Sequence, residues 1–243
     1  MNAILEARGV DLQRGGLKIL SDLNISIEEH KVTGIIGPNG AGKTSLFNVL
    51  SGFMRLNGGD VLFEGNSIVG LTPETICQRG IARTFQKVRG YPSLSVRENV
   101  LVGAVNRLPR HEAATLVDEL IDRMDLEELA DQPAEILSVG NRKRLEVARV
   151  LATGAKVVLL DEVMGGLVPT EVRQMMTLIA SLKQHGITVV LIEHHMNAVM
   201  GISDHIYVIE RGRNLADGPP AEIASNEAVI AAYLGKEYTD AEV

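Results

Sequence analysis

An apolar run, a glycine-rich turn and a helical segment follow one another between residues 32 and 51, and this unit confines the chain to a small set of α/β folds. Val32–Ile36 reads as a buried strand, and Lys43 to Ser51 as a helix stopped by Gly52. Between them, Gly37-Pro38-Asn39-Gly40-Ala41-Gly42-Lys43-Thr44 satisfies the phosphate-loop pattern G-x-x-x-x-G-K-[ST] at every defined position. Glycines let the backbone wrap an anion with successive N–H groups pointing inward, and the helix N-terminus adds its positive dipole end. Lys43 is expected to reach the β- and γ-phosphates of a bound nucleotide. Thr44 is expected to ligate magnesium, with Ser45 completing the nucleotide-binding run. A glycine turn without a ligand is the bland alternative; strand, loop and helix in this order argue against it.

A second constellation lies downstream. Leu137-Ser138-Val139-Gly140 opens an amphipathic basic helix, which leads into the apolar strand Val157–Leu160 and the acidic pair Asp161-Glu162. In a nucleotide hydrolase such a pair divides the work. Asp161 is expected to hold magnesium through water, and Glu162 to act as general base or water-orienting carboxylate. His194 follows the apolar strand Thr188–Ile192. In an open parallel sheet ligands bind at the carboxyl ends of the strands, so the phosphate loop, Asp161-Glu162 and His194 should converge, with His194 within reach of the γ-phosphate. Neighbouring His195 invites a metal reading, but adjacent strand residues point apart and no cysteine is near. Gln86, where a strand should end, could ligate magnesium or hold the attacking water.

The rest of the chain supports one compact α/β unit. Leu23–Glu28 alternates apolar and polar, and Val61–Phe63 runs into a turn, so the first third should contain β structure around the loop. Ala113, Leu116, Val117, Leu120, Ile121 and Met124 recur at helical spacing, as do Leu145, Ala148 and Leu151. From Val157 onward strands and helices alternate, including a helix through Val172, Met175, Met176 and Ile179 and a strand at Ile206–Ile209. Continuous apolar strands separated by helices imply a mainly parallel sheet covered on both faces. The expected fold is therefore a phosphate-loop nucleotidase core (residues 1–86 and 154–243) with an N-terminal antiparallel β subdomain and an α-helical insertion (87–153).

Composition excludes several other classes. A net charge of −7 argues against binding a nucleic-acid backbone, and the Arg142-Lys143-Arg144 run has no aromatic platform, so it reads as a solvated helix face. No apolar run approaches the ~18 residues of a membrane span, and the first residues lack the pattern of a signal peptide. One cysteine, Cys77, permits no internal disulfide. These features point to a soluble, cytoplasmic protein.

In order and spacing, these motifs resemble the ATPase subunits of ATP-binding cassette transporters over essentially the whole chain. ARTFQ at 82–86, RLEVAR at 144–149 and IEHHMNAVMGISDHIYVIERG with the trailing AAYLG are similar to the ATPases of branched-chain amino-acid importers. The resemblance implies a head-to-tail dimer in which ATP and Mg2+ lie between the phosphate loop of one cassette and Ser138 and Gly140 of the other. The second cassette is either a copy or a similar ATPase. The dimer drives two integral-membrane permeases from the inner face of the membrane, the helical insertion contacting them, with an external binding protein engaged indirectly. Arg14 stands where the family places an aromatic residue against adenine, and its guanidinium plane can itself stack. Val139 and Asn141 replace a glycine and a glutamine of the family signature. Val163 replaces a proline, Val168 an Asp or Asn, and His195 an Asp. The altered signature leaves open a cassette that holds ATP and hydrolyses little; a lipid or drug exporter ATPase is another alternative. A soluble cassette acting on ribosomes or DNA usually carries two cassettes or a long coiled coil, and this chain shows neither.

Overall fold

The computed structural model describes residues 3–85, 90–105 and 107–237, with side chains as far as 233. Two sheets organise the chain. The first contains β1 (Ala3–Arg14), β2 (Leu17–Glu28), β4 (Gly58–Phe63) and β5 (Asn66–Ser67) in the order β2-β1-β4-β5, antiparallel throughout. The second contains β3 (Val32–Ile36), β6 (Ile81–Arg83), β7 (Val157–Asp161), β8 (Thr188–Ile192), β9 (His205–Glu210) and β10 (Arg213–Gly218), in the order β10-β9-β3-β8-β7-β6. Its strands are parallel from β9 to β6, and β10 alone runs antiparallel, to β9.

Residue pattern explains the layering. β3, β7 and β8 are buried at all five positions, as strands covered on both faces must be. Period-2 alternation then splits each strand between two cores. Val157, Leu159, Val190 and Ile192 pack with β1, β2, β4 and the buried Leu46 and Phe47 of α1 (Lys43–Leu50). Val158, Leu160, Val189 and Leu191 face the opposite way, toward the helices of the second core. The small helix α2 (Pro73–Arg79) leads into β6, with Thr72 capping its start.

Three helices follow the described part of the segment after β6: α3 (Val96–Ala104), α4 (Arg110–Arg123) and α5 (Val139–Ala152), which pack on one another. Ser95 and Glu98 form a capping box at the start of α3, and Ser138 caps α5 by accepting from the Asn141 N–H at 3.2 Å. α5 buries Leu145, Val147, Ala148 and Leu151 and so ties this helical layer to the second core. Beyond β7 come α6 (Pro169–Gln184), α7 (Met196–Ile202), α8 (Pro220–Ala224) and α9 (Glu227–Glu237). The strand β10 carries no apolar signature, since all but its last residue is exposed or half-buried. It forms because Arg211 and Gly212 both take positive φ (48° and 78°), the turn that folds a tight hairpin back on β9.

Candidate functional site

The strand order brings the site together. β3, β8 and β7 are neighbours, so the loop after Ile36, the turn after Ile192 and the turn after Asp161 leave the same edge of the sheet side by side. In the phosphate loop, Gly37 passes so close to the backbone of β9 that a Cβ there would run into the Ile209 carbonyl oxygen. Gly42 starts α1 in the left-handed region (φ 106°) against Leu20 and the Ile19 carbonyl of β2. The loop is thus wedged between both sheets. Pro38 accepts from the Ala41 N–H at 3.1 Å; Asn39 and Gly40 are exposed at its rim, as is Thr44 at the first turn of α1, with Ser45 half-buried. Lys43 is buried, and its ammonium group donates to the Gly37 carbonyl at 2.6 Å and the Pro38 carbonyl at 3.1 Å. Its charge therefore sits inside the loop.

Asp161 is fully buried. One carboxylate oxygen accepts from Arg83 Nη2 at 3.0 Å, while the other, Oδ1, has no hydrogen-bond partner among the described residues. Burial pushes this carboxyl above its ordinary value; Arg83 pulls it down, and neighbouring Glu162 pushes it up again. Glu162 adopts a left-handed conformation (φ 52°), uncommon for a residue with a side chain, and its N–H stays on β8 through the Ile192 carbonyl at 2.9 Å. This turn aims its carboxylate at His194, whose Nε2 lies 3.0 Å from Oε1. β8 ends at Ile192, so strand alternation does not govern the two histidines: His194 turns to Glu162, and His195 opens α7. Gln86 lies outside the described residues.

Ser138 is exposed at the start of α5, whereas Gly140 is buried against the Glu171 side chain. Arg14 is exposed at the tip of the β1–β2 hairpin. Three side chains that the sequence motifs did not single out are built into the site. Arg83 packs its guanidinium against Phe47, Phe53 and Phe85 and donates to Asn48 Oδ1 of α1 at 2.7 Å as well as to Asp161. Glu193 is buried and accepts from the Met164 N–H at 2.6 Å. Lys143 donates to the Glu162 carbonyl at 2.9 Å. The Arg142-Lys143-Arg144 run is therefore not a solvated face. Its middle member is buried, and its flanks donate to the Leu137 and Met124 carbonyls. The signal was present in the helical period: Lys143 lies four and eight residues before buried Val147 and Leu151, on the stripe that faces the core.

Burial raises the Glu193 carboxyl to about 7, against the pull of the Met164 and His194 N–H groups. A raised carboxyl favours its protonated form in the fold. Its penalty is absent below the unfolded value of 4.5, grows as pH rises, and is complete above about 7. Glu193→Gln, which keeps an acceptor for Met164, should therefore gain about 2–3 kcal/mol relative to the parent between pH 5 and pH 8 in urea unfolding. An equal difference at both pH values would show that Glu193 is not held neutral.

A phosphate cradle set beside two carboxylates and a histidine at the ends of three adjoining parallel strands defines the class as phosphate-loop nucleotide hydrolases. The family model described as ABC transporter matches residues 20–165, and one described as branched-chain amino acid ATP-binding cassette transporter matches residues 213–239. The chain is 40% identical to the high-affinity branched-chain amino acid transport ATP-binding protein BraF of Pseudomonas aeruginosa, over 96% of this chain and 98% of that protein. To LivG of Escherichia coli, of the same description, it is 38% identical with the same coverage. A solved ATP-binding cassette of an ABC transporter in its ADP conformation superposes with a TM-score of 0.87 at 30% identity, covering 97% of this chain and all of the other. The chain belongs to the ABC transporter family, as one of its ATPases. Among the described residues no helix is long and apolar enough to cross a membrane.

Proposed function

We propose that this chain powers an importer of branched-chain or other small hydrophobic amino acids from the inner face of the cell membrane, by closing ATP and Mg2+ between itself and a second cassette. The observation that carries the hydrolytic part is the Glu162–His194 contact of 3.0 Å at the strand ends beside the phosphate loop. The importer reading is supported by near-full-length identity to BraF and LivG.

In this reading the N–H groups of Asn39–Thr44 and the N-terminus of α1 hold the β- and γ-phosphates, with Lys43 balancing their charge. Arg14 covers the adenine. The residues fit a divalent cation, because buried Asp161 keeps one carboxylate oxygen without a hydrogen-bond partner among the described residues. Asp161, Thr44 and Gln86 would hold it, and a bound Mg2+ would neutralise charge building up between the β- and γ-phosphates. Glu162 orients the attacking water and accepts its proton, and His194 fixes the Glu162 carboxylate and reaches toward the γ-phosphate. Ser138 and Gly140 close the site of the partner cassette. The helical segment 87–153 meets the permeases.

Capture of the Glu162→Gln chain from native membranes, with and without ATP, tests this. Recovery of multi-span permeases, a second cassette and an amino-acid-binding protein is the expected result. Permeases of a lipid or drug exporter would replace the importer reading, and recovery of ribosomal proteins alone would overturn transport altogether.

A further inference from the structure

The turn carrying Glu162 is held by more bonds than a strand end needs. Its left-handed conformation disfavours any side chain other than glycine's by roughly 1–2 kcal/mol, so it persists only where its surroundings fix it. Four bonds do so. The Ile192 carbonyl takes the Glu162 N–H, the Gly165 N–H returns to the Glu162 carbonyl at 3.2 Å, Glu193 takes the Met164 N–H, and the ammonium group of Lys143 donates to the Glu162 carbonyl at 2.9 Å. Three come from the turn or from β8 next to it. The fourth comes from α5, nineteen residues away in sequence.

We infer that Lys143 is a positioning residue for hydrolysis: it fixes the backbone of Glu162 and ties it to the helix that opens at Ser138. This rests on the functional reading above. Lys143 stands five residues beyond Ser138 on the same helix, about 7.5 Å along its axis. A second contact of α5 lies further along the segment that follows Glu162. Glu171 of α6 accepts from the Val168 N–H at 3.0 Å, and its carboxylate lies over Gly140, where a Cβ would come within 2.5 Å of it. Lys143 and Gly140 thus both place the start of α5 against the segment from Glu162 to Glu171. When Ser138 and Gly140 close on ATP held by the partner cassette, the same helix carries that displacement to the Glu162 of its own cassette.

Steady-state ATP hydrolysis by the full chain, purified with the subunits that accompany it, tests the assignment. Lys143→Met should lower kcat about 10- to 100-fold with KM for ATP changed less than about twofold, because the carboxylate is misplaced while the phosphate cradle is untouched. Lys143→Arg, which still donates to the carbonyl, should keep most of the parent kcat. If Lys143→Met does not fold, Lys143→Gln, too short to reach the carbonyl, carries the same expectation. An unchanged kcat in the Met or Gln variant overturns the inference, as does a parallel loss of kcat and ATP affinity that Arg does not rescue. Absence of Glu162-dependent turnover in the parent overturns the functional reading, and this inference with it.

Discussion

Replacing Glu162 with Gln should reduce ATP hydrolysis about 10²–10⁴-fold while leaving ATP binding intact. The amide fills the same space and can still meet His194 Nε2 now 3.0 Å away, so the turn and the phosphate cradle keep their shape. What is lost is the negative charge and the ability to accept a proton from water. Phosphoryl transfer depends mainly on positioning and charge, so one misassigned carboxylate among several would show only a small effect. A parallel measurement on His194→Ala separates the roles: if His194 only steadies the carboxylate, its loss should be smaller than that of Glu162. Equal turnover by Glu162→Gln and the parent would place the water-activating group elsewhere.

Arg83→Met should cost about 3–5 kcal/mol of stability, measured by urea unfolding near neutral pH. The pair is almost completely desolvated, with side-chain exposures of 5% for Arg83 and 0% for Asp161. Removing the cation takes the paired counter-charge from a carboxylate that is fully buried in the fold. The same change frees Asn48 of α1, so the helix that follows the phosphate loop loses its anchor to β6. Asp161 escapes the penalty by taking up a proton, and the deficit should therefore shrink as the pH falls. Arg83→Lys should restore part of the loss, because it returns the charge without the fork that reaches Asn48 and Asp161 together. A cost near zero would mean that the pair is solvated in solution.

What could be read from the sequence was whatever depends on neighbours along the chain. The phosphate loop, the strands β3, β7 and β8 and the helices α1 and α4 follow from local runs and periods, and the convergence at the strand ends follows from topology. Contacts between distant segments were not legible. Arg83 and Asp161 are 78 residues apart, and an arginine closing an apolar strand announces no partner. Lys143 looked like one of three surface cations because a charged run is usually solvated; only its phase on the helix set it apart. β10 escaped notice because an edge strand of polar residues has no apolar period. Gln86 lies outside the described residues, so its role rests on its position after the β6 strand and on the resemblance.

Val139 and Val168 are two departures from the family pattern. Both are half-exposed apolar residues, at positions where the family usually has a glycine and a polar residue, and in the proposed dimer they would border the second cassette. Light scattering on the Glu162→Gln chain, together with any second cassette that accompanies it, measures directly whether ATP closes two cassettes on each other. The account predicts one cassette per particle without nucleotide, two with Mg2+ and ATP, and no such change when Ser138→Arg is added. A particle mass unaffected by ATP, under conditions where ATP is demonstrably bound, would contradict it.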